Sequence, residues 1–227
     1  MSDPIQVKIS IAQAVREAID SDLSIQDSVQ RSYGNLTAIA RLLKKTVEEK
    51  TGKKTNIDSL VTAVKRSRGL YKGIPKEIIS VVSGSIVNVR THVAKISVEK
   101  NKKALESIGR TIIGYREEFI QVSESVSAIT LVFDQRLLNE VKSMFKEEEL
   151  LENKSDLAAI TVQSPLEIIQ TPGCAITFYN QVSRRRINIE DTTSCYTDTI
   201  LIVKMTDAGR AFQALTDLIS ASQRVKN

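Results

Sequence analysis

Apolar residues recur at helical spacing through the first third of the chain. Ile11, Val15, Ala18 and Ile19 fall at i, i+4, i+7 and i+8 behind Ser10, a good N-cap, so a helix is predicted there. A short segment with Leu23, Ile25 and Val29 follows and stops at Tyr33-Gly34. Asn35 then caps a second helix with Leu36, Ile39, Leu42, Leu43 and Val47 on one face, ending at Thr51-Gly52. Asn56 caps a third, with Ile57, Leu60, Val61 and Val64 inward and Arg66, Arg68 and Gly69 at its end. Gly69–Pro75 reads as a linker. Beyond it the apolar residues turn β-branched and the period strand-like: Ile78, Ile79, Val81, Val82, Ile86, Val87 and Val89, with Gly84 as a break.

From residue 90 the pattern runs strand, helix, strand, strand, helix, and then does so again. The first round predicts strands at His92–Glu99, Phe119–Ser125 and Ala128–Phe133, with helices at Lys102–Ile113 and Gln135–Phe145. The second predicts strands at Leu157–Gln163, Ile187–Cys195 and Thr199–Met205, with helices at Cys174–Arg186 and Asp207–Ile219. The rounds begin about 65 residues apart, the second carrying an insertion at Leu166–Thr171 and Glu147–Lys154 forming a polar joint. The expected class is α+β: a three-helix, helix-turn-helix-like module followed by two ferredoxin-like units. The expected domains are 1–72, 73–150 and 151–227.

The charge is uneven. Residues 1–78 carry fourteen Lys and Arg against nine Asp and Glu, and the remainder carries eighteen of each. Within 41–72, Arg41, Lys44, Lys45, Lys50, Lys53, Lys54, Lys65, Arg66, Arg68 and Lys72 face only Glu48, Glu49 and Asp58. Such a patch attracts a polyanion through counterion release. In a helix-turn-helix the third helix enters the major groove of double-stranded DNA. Ser59, Thr62, Lys65, Arg66 and Arg68 are the candidate contacts: small hydroxyls for bases or phosphates, cations for the backbone. Tyr33-Gly34-Asn35-Leu36-Thr37-Ala38-Ile39-Ala40-Arg41 resembles the start of the second helix in archaeal and bacterial winged-helix regulators, although Leu70–Pro75 is too short for an obvious wing.

Other chemistry is thinly provided for. His92 is the one histidine, two cysteines make no disulfide framework, and Trp is absent. No catalytic set, phosphate-binding loop or metal-ligand spacing is present, and a non-enzyme without cofactor or metal is expected. Cys174 and Cys195 could approach each other, but free thiols are the commoner state in a reducing compartment. No apolar run reaches the length of a membrane helix, and Asp3, Lys8, Arg16 and Glu17 stand where a signal peptide would be apolar; a cytoplasmic protein is expected. Arg184-Arg185-Arg186 reads as the last turn of a helix, where cations are stabilised.

Thr171-Pro172-Gly173-Cys174-Ala175, a helix ending in basic residues, then Ile187-Asn188-Ile189-Glu190-Asp191 resembles the ACT domain found in the regulatory halves of aspartate kinases. The resemblance covers 156–222. It is weak over 80–150, where neither Pro-Gly nor Asn-Ile occurs, so that copy looks degenerate. A Gly at a strand-to-helix turn lets a ligand approach backbone N–H groups, and the helix N-terminus suits a carboxylate. Gln170, Thr171, Pro172, Gly173, Cys174, Asn188, Ile189 and Glu190 are therefore the candidate ligand site. The resemblance implies an amino acid or similar effector bound between two ACT sheets, and a homodimer formed through those sheets. The function expected is a ligand-responsive transcriptional regulator. The alternative is a non-catalytic regulatory subunit that binds an enzyme of amino-acid metabolism.

Overall fold

The computed structural model describes residues 9–71 and 75–226. Asp3 and Lys8, the centre of the expected linker (72–74), and the expected boundary between 72 and 73 lie outside the described residues. The chain divides at Pro75 into two compact units.

The first unit is helical: α1 (Ile11–Asp20), α2 (Leu23–Gln30), α3 (Leu36–Thr51) and α4 (Ile57–Ser67). The short segment after α1 is thus a helix too, capped by Asp22, which accepts from the amides of Ser24 and Ile25. Ser10, Asn35 and Asn56 cap the other three as their side chains suggest. One core holds Val15 and Ile19 of α1, Val29 of α2, Leu43 and Val47 of α3, and Leu60 and Val64 of α4.

The second unit is mixed: α5 (Lys76–Ser83), β1 (Ile86–Glu99), α6 (Lys102–Gly114), β2 (Ile120–Glu124), β3 (Ala128–Asp134), α7 (Leu138–Ser143), β4 (Leu150–Gln163), α8 (Cys174–Ser183), β5 (Asp191–Cys195), β6 (Asp198–Lys204) and α9 (Ala208–Lys226). Four expectations are corrected here. The β-branched run at 76–83 is the helix α5, because Ile78, Val81 and Val82 bury one face against α8 and α9; short apolar runs do not reveal their period until packing selects it. The polar joint Glu147–Lys154 is largely strand, since β4 starts at Leu150, and β1 likewise starts at Ile86 rather than His92. The strand expected from Ile187 starts at Asp191, leaving Asn188 and Ile189 in irregular backbone.

All six strands form one antiparallel sheet in the order β2-β3-β1-β4-β6-β5. The two long strands lie at its centre and change partners half-way. The second half of β1 pairs with β3 and the first half of β4; the second half of β4 pairs with β6 and the first half of β1. The change falls at His92 in β1 and Asp156 in β4, both with a φ of 54°. These are matching positions of the two rounds, and non-glycine residues occupy this region only where a bulge or bend demands it. Gln135 holds the second bend: its Oε1 accepts from the Asp156 amide at 2.8 Å.

Each half of the sheet carries helices on one face. Ala94, Ile96, Leu131 and Phe133 pack under α6 and α7; Ala158, Ile160, Leu201 and Val203 pack under α8, α9 and α5. Val87, from the first half of β1, joins the second of these cores, and Leu150, from the first half of β4, joins the other. On the opposite face Val93, Val132, Leu157, Ala159, Ile200 and Ile202 form a further buried cluster. The sheet curls over it until its outermost strands touch, Ser123 Oγ of β2 lying 2.9 Å from Thr193 Oγ1 of β5.

Candidate functional site

The turn between α3 and α4 is built by its own side chains. Gly52 closes α3 with a φ of 66°, a conformation that strains any residue with a Cβ. Glu48 Oε1 accepts from the Thr55 amide at 2.8 Å, and this bond holds the Glu48 carboxyl below the usual range. Asn56 Oδ1 then accepts from the Ser59 amide at 2.7 Å and starts α4. Together these bonds fix where α4 begins and which way its outer face points. Ser59, Thr62, Lys65 and Arg66 are exposed on that face, as their spacing indicates. Ser59, Thr62 and Arg66, with Asp58, border a groove of about 690 Å³ that Ile11, Ala12 and Arg16 of α1 close from the other side.

The cations of this unit fall into two sets. Arg31, Lys44, Lys45 and Lys50 are engaged in ion pairs with Asp27, Glu48, Glu49 and Glu17. Arg16, Arg41, Lys53, Lys54, Lys65 and Arg66 make no ion pair among the described residues. Arg68 stands apart from the other candidate contacts: half-buried, it donates from Nη2 to the Ser32 carbonyl at 3.3 Å, and its buried Nε has no partner.

The candidate effector residues are placed in two groups. Gln170 to Cys174 lead into α8, where Gly173 is the N-cap with a φ of 91°. Thr171 is tied down, its Oγ1 donating to the Glu167 carbonyl at 2.7 Å. A Cβ on Gly173 would come 3.2 Å from Ile78 Cδ1, so α5 sits directly against this turn. Cys174 is buried, its thiol pushed up by burial, while Cys195 is exposed; both are free. Asn188, Ile189 and Glu190 follow the other end of α8, about 15 Å away along a ten-residue helix. One chain does not bring the two groups together. The three arginines between them lie just past the end of α8 rather than in its last turn, and Arg185 pairs with Asp217 of α9 at 3.1 Å.

Glu190 belongs instead to a charge network on the curled face of the sheet. Its carboxylate accepts from Lys154 Nζ at 2.7 Å and from Asn188 Nδ2 at 2.9 Å. Lys154 and Lys95 both pair with Glu152, at 2.7 and 2.6 Å, and Lys95 Nζ also donates to the Glu190 carbonyl at 3.0 Å. Lys95 keeps only 7% of its side-chain surface exposed. The Lys154 ammonium, and then Asn188, hold the Glu190 carboxyl below its usual range; Glu152 is lowered by Lys154 and Lys95. Sequence reasoning missed Lys95, Glu152 and Lys154. The available signal was a lone cation inside the apolar strand Val93-Ala94-Lys95-Ile96, since a buried Lys needs a partner. Among the described residues no group of three or more His, Cys, Asp or Glu could hold a metal ion, and no helix is long and apolar enough to cross a membrane.

No protein-family model matches the chain, and no curated protein does. Solved structures do. The aspartokinase alpha and beta subunits are similar at a TM-score of 0.50 and 10% identity, over 59% of this chain and 97% of that one. The aspartate kinase of Clostridium acetobutylicum is similar at 0.49 and 14% identity, over 59% of this chain; the matched part is 34% of the kinase, so the likeness spans about a third of its length. The regulatory subunit of aspartate kinase from Thermus thermophilus is similar at 0.48 and 14% identity, over 58% of this chain and 95% of that one. What the aspartokinase subunits have in common with this chain is the fold, here a mixed α/β arrangement with an antiparallel sheet of the order β2-β3-β1-β4-β6-β5.

Proposed function

We propose that the chain is a ligand-responsive transcriptional regulator. Its first unit acts as a helix-turn-helix module on double-stranded DNA, and its second, read as two ferredoxin-like ACT units, senses an amino acid or related metabolite. The observation that carries the DNA half is the fixed α3–α4 turn, which presents Ser59, Thr62, Lys65 and Arg66 on one exposed face, with neither cation in an ion pair among the described residues. Cations already neutralised by protein carboxylates release no counterions from DNA; unpaired ones do. The effector half draws support from the fold shared with the aspartokinase subunits and from the resemblance of Thr171–Ala175 and Ile187–Asp191 to the ACT domain. Because α8 separates Gln170–Cys174 from Asn188–Glu190, an effector touching both groups needs a second copy of the chain. A homodimer would supply it and would also present two α4 helices to two half-sites.

The test is binding of the full chain to a pool of duplex fragments, followed by anisotropy at several salt concentrations, with and without a mixture of the twenty amino acids. The expected result is a steep loss of affinity with salt. In the double variant Lys65→Ala with Arg66→Ala, the slope of log K against log salt becomes shallower by about 0.9 for each phosphate no longer neutralised. Binding that is absent, or indifferent to both salt and these substitutions, rejects the DNA reading. In that event the regulatory-subunit reading is next, tested by capture of an enzyme partner.

A further inference from the structure

The pairing registers align the two rounds of the second unit, and the alignment exposes a difference between the two ends of the curled sheet. Ile86 of β1 matches Leu150 of β4, and Gln121 of β2 matches Asp191 of β5, because they pair with the equivalent residues Val132 and Ile202. Arg90 therefore stands where the other round has Lys154, Asn88 where it has Glu152, and Ile120 where it has Glu190. One end is filled by its own ions: Lys154 is held between two carboxylates at 2.7 Å each. The other end keeps the cation and lacks both carboxylates. In their place is a cleft of about 350 Å³ bordered by Arg90, Phe119, Gln121, Gln163 and Asp198.

The Arg90 guanidinium lies over the Phe119 ring, 5.2 Å from its centroid, and 51% of its side-chain surface is exposed. The nearest carboxylate, Asp134, is 3.9 Å away and already bonded by Arg136 at 2.9 Å. Ile200, from the buried cluster, forms part of the apolar wall. The other polar groups of the lining are Gln121, Asn88, whose Nδ2 donates to Gln163 Oε1 at 3.3 Å, and the carboxylate of Asp198, which makes no ion pair among the described residues. The volume is at the small end of what metabolite sites enclose.

We propose that this cleft binds the carboxylate of a small organic acid, seated against Arg90 as Glu190 is seated against Lys154, with a hydrogen-bond donor of the ligand directed to Gln121, Gln163 and Asp198. The closed end serves as the internal image of the occupied one. A guanidinium meets a carboxylate through two parallel hydrogen bonds, and the Phe119 ring holds its plane in place. The site lies within one chain and depends on no part of the DNA-binding reading.

The experiment is calorimetric titration of the full chain, without DNA, with glycolate, lactate and each of the twenty amino acids. At least one probe is expected to bind with a Kd below about 1 mM. Arg90→Gln should weaken that probe about tenfold or more, the loss expected when a charge-assisted bond is removed. Lys154→Gln, at the closed end, should leave it unchanged. Asn88→Glu supplies the Glu152 carboxylate at the matching position and should abolish binding; if that variant does not fold, Arg90→Gln decides alone. No binding of any probe at 10 mM, about ten times that limit, overturns the proposal. So does binding that survives Arg90→Gln. A probe lost in Asn188→Ala but kept in Arg90→Gln places the effector at the α8 segments instead, which supports the regulator reading and rejects this cleft.

Discussion

Glu190 shows how much of this molecule's chemistry is decided at single positions. Its side chain keeps 5% of its surface, so as a carboxylate it depends on the Lys154 ammonium and the Asn188 amide. Its folded pKa lies below that of the unfolded chain, which is about 4.3 for Glu. The sign follows: the group adds stability at pH values above the unfolded pKa and loses it as the pH falls through the folded value. Glu152 behaves in the same way. The wild-type chain should therefore lose stability to urea steeply below about pH 4.3. Glu190→Gln should be less stable at pH 7 and show a shallower acid limb. Urea melts from pH 3 to pH 7 measure both, and parallel limbs would mean that Lys154 does not bias this carboxyl.

The turn between α3 and α4 is a case where one element depends on the cap of the next. Asn56→Ala removes the acceptor for the Ser59 amide and should cost about 1 kcal/mol of unfolding free energy, read from urea melts. A change below a few tenths would show that the turn is held by Glu48 and Thr55 alone. Caps such as these are local and were legible: Ser10, Asn35, Asn56 and Gly52 mark helix ends from sequence alone. The recurrence of the strand and helix pattern was legible too, because both rounds keep their apolar alternation on the second half of the long strand. What escaped depends on partners far along the chain. Leu150 to Lys154 read as part of the joint Glu147–Lys154 because nothing local makes a mostly polar run a strand; pairing with β1 does. α5 read as a strand because its β-branched residues reveal helical burial only against α8 and α9. For the candidate site, the turn at Gly173 was legible as a turn. Ile78 packed against it was not, and neither was the pairing that takes Glu190 into the network on the sheet.

At the scale of the whole molecule, the helical unit and the mixed unit each enclose their own core. Within the mixed unit the two rounds do not. Each long strand completes the sheet of its own round with one half and the sheet of the other round with the other half. A chain divided between Glu149 and Leu150 should leave both pieces without an edge strand. The piece after the cut is expected to lack fixed tertiary structure alone and to regain the native circular dichroism when mixed in equal amounts with the piece before it. A folded, monomeric piece spanning residues 150–227 would show that the exchange of strand halves is dispensable. A repeated unit ordinarily has a spare that can be removed. Here neither round is spare: because each long strand is shared across the seam, deletion of either round would take the other with it.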